Sequence, residues 1–546
     1  MTGVLRMTQQ FGQGFEGLED RTLLAANVTA VLSNGTLTIT GSTTVTADDI
    51  DVYGDGTLGN VTVDVNSTDL TVSGANSSQD DNNSGSFTGV KNIVIKSGAD
   101  DDTVDMFDLF IAGSVNANGG AGDDIIDVYT DSYVSTIGGS VTLNGGGGLD
   151  DYNGVYTGDY GLTINGNVTL TSNGGYQEVF SGYGDVSIRG NVVMNNYSTA
   201  TNDAENDIYA EDYGNVDIRG SVTMNGGAGE DYNYIYTDGY GAAISAGSVT
   251  INGNAGYDEM TISNDFGYGD SIRVGDVTMN GGAGESFMLV AGYGDYGSVR
   301  TGSITMNGGS SDDEMYVGAY GTSLDVIGNV TMNANGGADY MVVGTNDRDA
   351  NLYITGNVAM NGGTGADEAY MYGGYDNNII DVGGNVTISG GDGNDYLQVI
   401  TNEHDTDIYI HGNLNITGGN GEDTLSVYMD YSGNQIRVDG ALFMDGGNNA
   451  DTIEVLNYDA DGTSNITVGS ATVNGGSGDD DLEAYGTTVL GNVNINGGNG
   501  NDTFTAGDNT VLGNLNYNGW FGTDEFIENG TNVVGGSISF PFVEII

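Results

Sequence analysis

The feature that most constrains this chain is a short segment, Gly-Asn/Ser-Val-Thr-Met/Ile/Leu-Asn, that returns along most of its length. It begins at Gly113, Gly139, Gly166, Gly190, Gly220, Gly247, Gly275, Gly302, Gly328, Gly356, Gly384, Gly412, Gly440, Gly469, Gly491, Gly513 and, in degenerate form, Gly536, with 22 to 30 residues between starts. A period of that size marks a unit that buries its apolar face only by stacking on its neighbours. Inside one period the apolar residues alternate with period two, the strand signature. The unit from Gly412 runs Leu414, Ile416, then Leu425 and Val427, then Ile436 and Val438, with Gly/Asn/Asp turns between. Neighbouring units repeat the scheme with Met315/Val317 then Leu324/Val326, and with Ile453/Val455 then Ile466/Val468. Nothing in the unit has helical spacing.

A propeller blade needs four strands and about 40 residues or more. Three short strands in each 22–30-residue coil predict instead an all-β chain folded as a right-handed parallel β-helix, the hand following from the chirality of parallel connections. At about 4.8 Å per coil, the starts add up to roughly 80 Å of rod. Gly35–Ile39 and Val90–Ile95 show the same alternation, so three or four irregular coils are expected before Gly113. The expected division is therefore residues 1–26 as a separate opening segment, 27–112 as irregular first coils, 113–512 as regular coils, and 513–546 as a last coil with an apolar C-terminal strand.

Composition removes several functions. Lys+Arg number 10 against 76 Asp+Glu, a formal charge of −66, so a phosphate-binding surface is excluded and nucleic acid is not a partner. The absence of cysteine excludes disulfides, thiolate catalysis and cysteine-bound metals. No apolar run reaches the length of a membrane-spanning helix. Disorder is contradicted by 33 Tyr, 14 Phe and a single Pro, and by apolar residues that fall in a repeat.

The first corner of the unit carries the chemistry. It reads Gly-Gly-x-Gly-x-Asp and ends at Asp124, Asp150, Asp231, Asp367, Asp395, Asp423, Asp480 and Asp502. Looser versions put Asp258, Asp313, Asp451 and Asp524 in the same column, and Ser286 breaks it. Glycines permit tight corners, and carboxylate and carbonyl oxygens suit calcium. Stacked carboxylates about 4.8 Å apart repel by roughly 1 kcal/mol each in water and more where water is scarce, so cations between coils would help. The plainer reading is a solvated Gly/Asp turn with no specific site. The corner resembles the calcium-binding nonapeptide of RTX proteins, which Asp423-Thr424-Leu425 and Asp502-Thr503-Phe504 continue. That resemblance implies calcium as the cofactor and the twelve aspartates as its ligands. The RTX hexapeptide returns every nine residues or so, whereas here it returns once per coil, so ligands would come from stacked coils.

A second column is Tyr-Gly, at Tyr160, Tyr183, Tyr213, Tyr240, Tyr268, Tyr293 and Tyr320. It reads first as a structural ladder and second as an aromatic strip that holds a sugar chain. Catalytic candidates are sparse, and the chain is not expected to be an enzyme. Lys91 and Lys96 are the only lysines, Arg189, Arg219, Arg273 and Arg437 end third strands, and no acidic cluster singles out their neighbourhood. A surface this acidic would also repel the acidic polysaccharides that many β-helix enzymes cleave. His404 and His411 share one coil and read as solvated residues rather than zinc ligands.

The ends differ from the rods between them. Leu18-Glu19-Asp20-Arg21-Thr22-Leu23-Leu24 closely resembles the Leu-Glu-x-Arg-x-Leu-Leu sorting segment at the N-termini of large planctomycete surface proteins, which implies export to the cell surface. The same residues could form an amphipathic helix capping the first coil. The C-terminal stretch Gly536–Ile546 is the most apolar of the chain. An apolar strand edge invites pairing, and a heterologous contact that does not close makes a filament. The expectation is a calcium-stabilised structural protein of a cell-surface fibre or layer, extracellular, whose partner is itself: residues 537–546 dock on the opening strands near Val28–Ile39 of the next copy. The tail folding back as an intramolecular cap is the alternative. A glycan-binding rod or adhesin, with cell-surface polysaccharide as partner, is the second reading, and a polysaccharide-active enzyme the third.

Overall fold

The computed structural model describes residues 28–545, except 42–46, 67–68, 150, 201, 265–267, 295, 460–461 and 542–543. The opening segment with its Leu-Glu-x-Arg-x-Leu-Leu motif lies outside the described residues. The described chain is all-β and contains no helix. Each regular coil has three strands, as in Val386–Asp392, Tyr396–Thr401 and Asp407–Ile410. The next coil repeats them in parallel and in register, with Val386 opposite Leu414, Tyr396 opposite Thr424 and Asp407 opposite Gln435. This is a β-solenoid of stacked parallel coils.

The second strands form one sheet, while the first and third strands share the other. The reason lies in the repeat glycine. Only a few residues separate a third strand from the next first strand, and the ladder runs on through them. Gly139 donates its N–H to the Gly113 carbonyl at 2.7 Å, Gly412 to Gly384 at 3.0 Å and Gly440 to Gly412 at 3.0 Å. At Gln435–Asn448 and Asn465–Ser477 the two strands fuse into one.

Alternation sends Val, Ile, Leu and Met inward. Val222 and Met224, Val249 and Ile251, and Val277 and Met279 are buried one coil above another. Each buried side chain of this kind contributes about 1.5–3 kcal/mol. The outward asparagine of the repeat builds a ladder of its own. Asn225 donates its amide to Asn195 Oδ1 and Asn252 to Asn225 at 2.8 Å, and Asn307, Asn333 and Asn361 continue the chain at 2.9 Å.

Residues 28–112 hold less solenoid than the alternation suggests. Thr36–Thr40 and Asn92–Ala99 are neighbouring first strands, with Leu37 opposite Ile93, although 56 residues separate them. The chain between them goes largely into antiparallel strands. Asp49–Gly54 pairs antiparallel with Val61–Val65, which pairs antiparallel with Ser84–Phe87. This capping layer changes the expected docking edge. Val28–Ser33 is paired on one edge with Thr36–Thr40 and on the other with Leu70–Gly74, and Thr36–Thr40 is itself flanked on both sides. The opening strands near Val28–Ile39 therefore have no edge left for another copy. At the other end Ile538–Ser539 and Glu544–Ile545 lie parallel on Leu515–Phe521 and Glu525–Glu528 and continue the solenoid.

Candidate functional site: two acidic columns

The coil from Gly362 to Asp367 shows why the corner has its sequence. A methyl group on Gly362 would lie 2.3 Å from Asp367 Oδ2, so the first glycine makes room for the carboxylate. Gly363 has φ +115° and Gly365 φ +140°, and a methyl on Gly365 would lie 1.4 Å from the Gly337 carbonyl oxygen. The first glycine accommodates the aspartate, and the other two let successive corners nest.

The aspartate turns inward. The N–H of Asp313 donates to Asp339 Oδ1 at 2.8 Å, and Asp339 to Asp367, Asp367 to Asp395, Asp395 to Asp423, Asp423 to Asp451 and Asp451 to Asp480 at 2.9 Å each. Asp480 donates to Asp502 at 3.1 Å and Asp502 to Asp524 at 3.0 Å. At the N-terminal end Asp102 donates to Asp124 at 2.9 Å and Asp124 to Asp151 at 3.1 Å. Each carboxyl thus satisfies a backbone donor that the corner would otherwise leave buried and unpaired.

Burial raises several of these carboxyls, because it penalises the charged form. Asp395, Asp480 and Asp502 are pushed up to about 6, Asp124, Asp339 and Asp451 to about 7, and Asp258 to about 8. Neighbouring aspartates above and below add to the effect in Asp395, Asp339 and Asp451, while the donated N–H opposes it.

Calcium takes about six to eight oxygens. Here Oδ1 is committed to an N–H of the neighbouring coil, which leaves one Oδ2 per coil in Asp339, Asp367, Asp395, Asp423 and Asp451, buried and without a hydrogen-bond partner among the described residues. No three His, Asp or Glu side chains converge as a metal cage among the described residues. The corner aspartates do not present the calcium sphere that the motif implies.

Of the twelve aspartates, Asp124, Asp231, Asp258, Asp313, Asp367, Asp395, Asp423, Asp451, Asp480, Asp502 and Asp524 are buried in this column. Asp150 lies outside the described residues, and Asp151 holds the position, its strand placing it opposite Gly175. Asp102 and Asp339 also belong to the column and were missed, because Asp339 follows Asn335-Gly336-Gly337-Ala338 and Asp102 precedes the first complete repeat. Ser286 keeps the column's place, donating its N–H to Asp313 Oδ1 at 2.9 Å. Gly175 and Ala204 interrupt the carboxylates for two coils.

A second acidic column, invisible in the sequence, stands on the outer face of the second-strand sheet. Register aligns Asp51, Asp105, Asp127, Gly154, Glu178 and Asp207 on six successive coils. Aromatic rings wall it on one side: Tyr53, Phe107, Tyr129 and Tyr156 stack at 5.0–5.3 Å, and Phe180, Tyr209 and Tyr236 continue at 4.3 and 5.1 Å. The rings cover the acids, so Asp127 and Glu178 are each 6% exposed. Burial and neighbouring acids push Asp51 up to about 6 and Asp127 to about 8. Burial also raises Glu178, against three tyrosine hydroxyls that donate to it: Tyr209 at 2.9 Å, Tyr176 at 3.1 Å, and Tyr152.

The Tyr-Gly residues do not form one ladder. Tyr160, Tyr183, Tyr213, Tyr240 and Tyr268 are exposed. Tyr268 meets Tyr240 and Tyr296, with centroids 6.5 and 4.9 Å away, whereas Tyr293 stacks on Tyr320 at 5.1 Å. Long aromatic ladders instead follow strand positions, such as Phe287, Tyr316, Tyr340, Tyr370 and Tyr396. His411 lies between Asp381 and Asp439 at 3.1 and 3.0 Å, while His404 meets Ser432. Arg437 pairs with Asp439 at 2.7 Å.

Compared with known proteins, the chain matches no family model and no curated protein sequence.

Proposed function

We propose that this chain is a structural rod, exported and built into a cell-surface fibre or layer, that associates end to end with further copies. The observation that carries the reading is the contrast between its two ends. The C-terminal strands Ile538–Ser539 and Glu544–Ile545 are paired on one edge only among the described residues. Around them Trp520, Phe521, Val533 and Ile538 are exposed. A row of unpaired backbone groups beside apolar side chains is a template for another strand. The receiving surface is the antiparallel cap of the next copy, met through its side chains, because the outer N–H groups of Leu70–Gly74 are taken within the chain: Leu70 donates to the Asn82 carbonyl at 2.7 Å and Val72 to Gln79 Oε1 at 3.0 Å. Export rests on the resemblance of residues 18–24 to a surface-protein sorting segment. The buried Asp ladder stiffens the rod without requiring calcium.

Removal of residues 537–546 tests this directly. Loss of large particles in sedimentation supports the proposal, and undiminished polymers contradict it. A second reading, a glycan-binding rod, draws on the exposed tyrosines Tyr183, Tyr213 and Tyr240, each 60–65% exposed. Monomers retained on a polysaccharide column would favour it.

A further inference from the structure

The only tryptophan of the chain stands where the fold asks for a glycine. Register puts Trp520 opposite Gly498, Gly498 opposite Gly476 and Gly476 opposite Gly447, at the second position of the corner. These glycines hold φ +118°, +119° and +111°. Asparagine, which tolerates the left-handed region, takes the same place at Asn254 and Asn335. Trp520 holds φ +70°, an outlier for a bulky side chain. Backbone strain of this kind persists where it serves a site. The indole gains little cover in return. Trp520 is 56% exposed and Phe521 67%, their rings meeting edge-on at 6.3 Å.

The two rings close a groove of about 330 Å³. Its floor is the backbone of Gly476, Gly497 and Gly498, and its polar side chains are Asn474, Asn496 and Asn499. They come from three successive coils, so the groove runs along the wall of the rod rather than across its C-terminal edge. The amides have capacity to spare. Asn496 donates to Asn474 at 2.8 Å, but Asn518, opposite Asn496 on the next coil, does not continue the ladder. Among the described residues, neither the Asn499 amide nor the Trp520 indole N–H has a hydrogen-bond partner. No lining side chain is charged, on a chain of net charge −66. The adjoining acid is Asp445, opposite Asn474 one coil back.

We propose that this groove binds a neutral polysaccharide laid along the rod, with a pyranose ring stacked on Trp520 and its hydroxyls bonded to Asn496 and Asn499. An indole offers an apolar face to the C–H side of a sugar ring and an N–H to its edge. A primary amide both donates and accepts, as sugar hydroxyls do. The glycine floor lets the ring approach the backbone. Aromatic walls with a few convergent polar groups are the usual make-up of a ligand site. A basic ligand finds no carboxylate in the groove, and an acidic one meets Asp445 and the field of the whole chain. The site is separate from the exposed tyrosines Tyr183, Tyr213 and Tyr240, and it holds the rod to a glycan by its C-terminal coils whether or not the rods join end to end.

Because Trp520 is the only tryptophan, it reports on its own site. The full chain is titrated with cellohexaose, mannohexaose and chitohexaose, exciting the indole beyond the tyrosine absorption, with trigalacturonic acid as the acidic comparison. The expected result is a saturable blue shift with at least one neutral sugar and none with the acidic one. Trp520→Gly restores the residue that the backbone favours, so the variant should fold. By isothermal titration calorimetry it is expected to bind the same sugar about tenfold more weakly or worse. Asn499→Ala keeps the reporter and should weaken binding about threefold. Emission is also followed against protein concentration without sugar. A blue shift that tracks self-association and ignores every sugar would give the groove to a second copy and overturn the proposal. A panel without any response, or a folded Trp520→Gly chain that binds as the parent does, overturns it equally.

Discussion

The N–H of Asp367 donates to Oδ1 of Asp395, 28 residues later, at 2.9 Å, and Asp395 does the same to Asp423. This relationship makes the acidic corner a device for closing the coil. A carboxyl serves because it is short enough to stay over the first glycine and offers an acceptor aimed at the next backbone donor. Its second oxygen is the part that titrates.

Replacing Asp395 separates the two roles. Asp395→Asn keeps the acceptor and removes the ionisation. It is expected to match the parent near pH 4 and to exceed it by about 1–3 kcal/mol near pH 8, since each tenfold change in proton affinity is worth about 1.4 kcal/mol. Asp395→Leu strands the Asp367 N–H and should cost about 1–3 kcal/mol at both values. Denaturant titration at the two pH values checks both.

The whole molecule should grow less stable as pH rises. Asp395, Asp451 and Asp258 are raised from an ordinary value of 3.8, so the folded chain holds these protons more tightly than the unfolded chain. Their contribution is complete below about pH 4 and is lost as pH climbs through their folded values of about 6 to 8. The melting temperature is expected to be highest near pH 4 and to fall steadily towards pH 9. A maximum at pH 8 would contradict the buried column.

Gly365→Ala should be far more harmful than its size suggests. The residue holds φ +140°, and the added methyl meets the Gly337 carbonyl at 1.4 Å. Strain of this kind costs about 1–3 kcal/mol, and the clash adds to it by forcing two nested corners apart. Thermal unfolding of the variant is expected to begin well below that of the parent, with that pair of coils opening first in hydrogen exchange.

The asparagine ladder is exposed enough that its members act almost independently. Asn280→Ala removes the amide given to Asn252 and the oxygen that accepts from Asn307. With each bond worth about 0.5–1.5 kcal/mol net, a loss of about 1–2 kcal/mol is expected by denaturant titration.

The coils were legible because their glycines and valines repeat at a spacing that the backbone ladder itself enforces, as Gly384 and Gly412 show by bonding to each other. The corner aspartates were legible as a column, but not their direction. A motif with three glycines reads equally as an exposed loop, and only the packing of Asp367 over Gly362 turns it inward. The outer column could not be read at all. Asp51, Asp105, Asp127, Glu178 and Asp207 sit at irregular separations, since one coil contributes Gly154 and the N-terminal strands make a long detour before rejoining. The same detour hid the cap, because Val28–Ser33 alternates like any coil strand and its antiparallel partner is fixed only by tertiary pairing.

The most direct test of the rod as an end-to-end building block is sedimentation of the purified full chain, in millimolar calcium and again in chelator. The account predicts large, polydisperse particles in both conditions, because the joining edge lies at Ile538–Ile545 and the corner carboxyls are already bonded to backbone. Monomers in both conditions would contradict it.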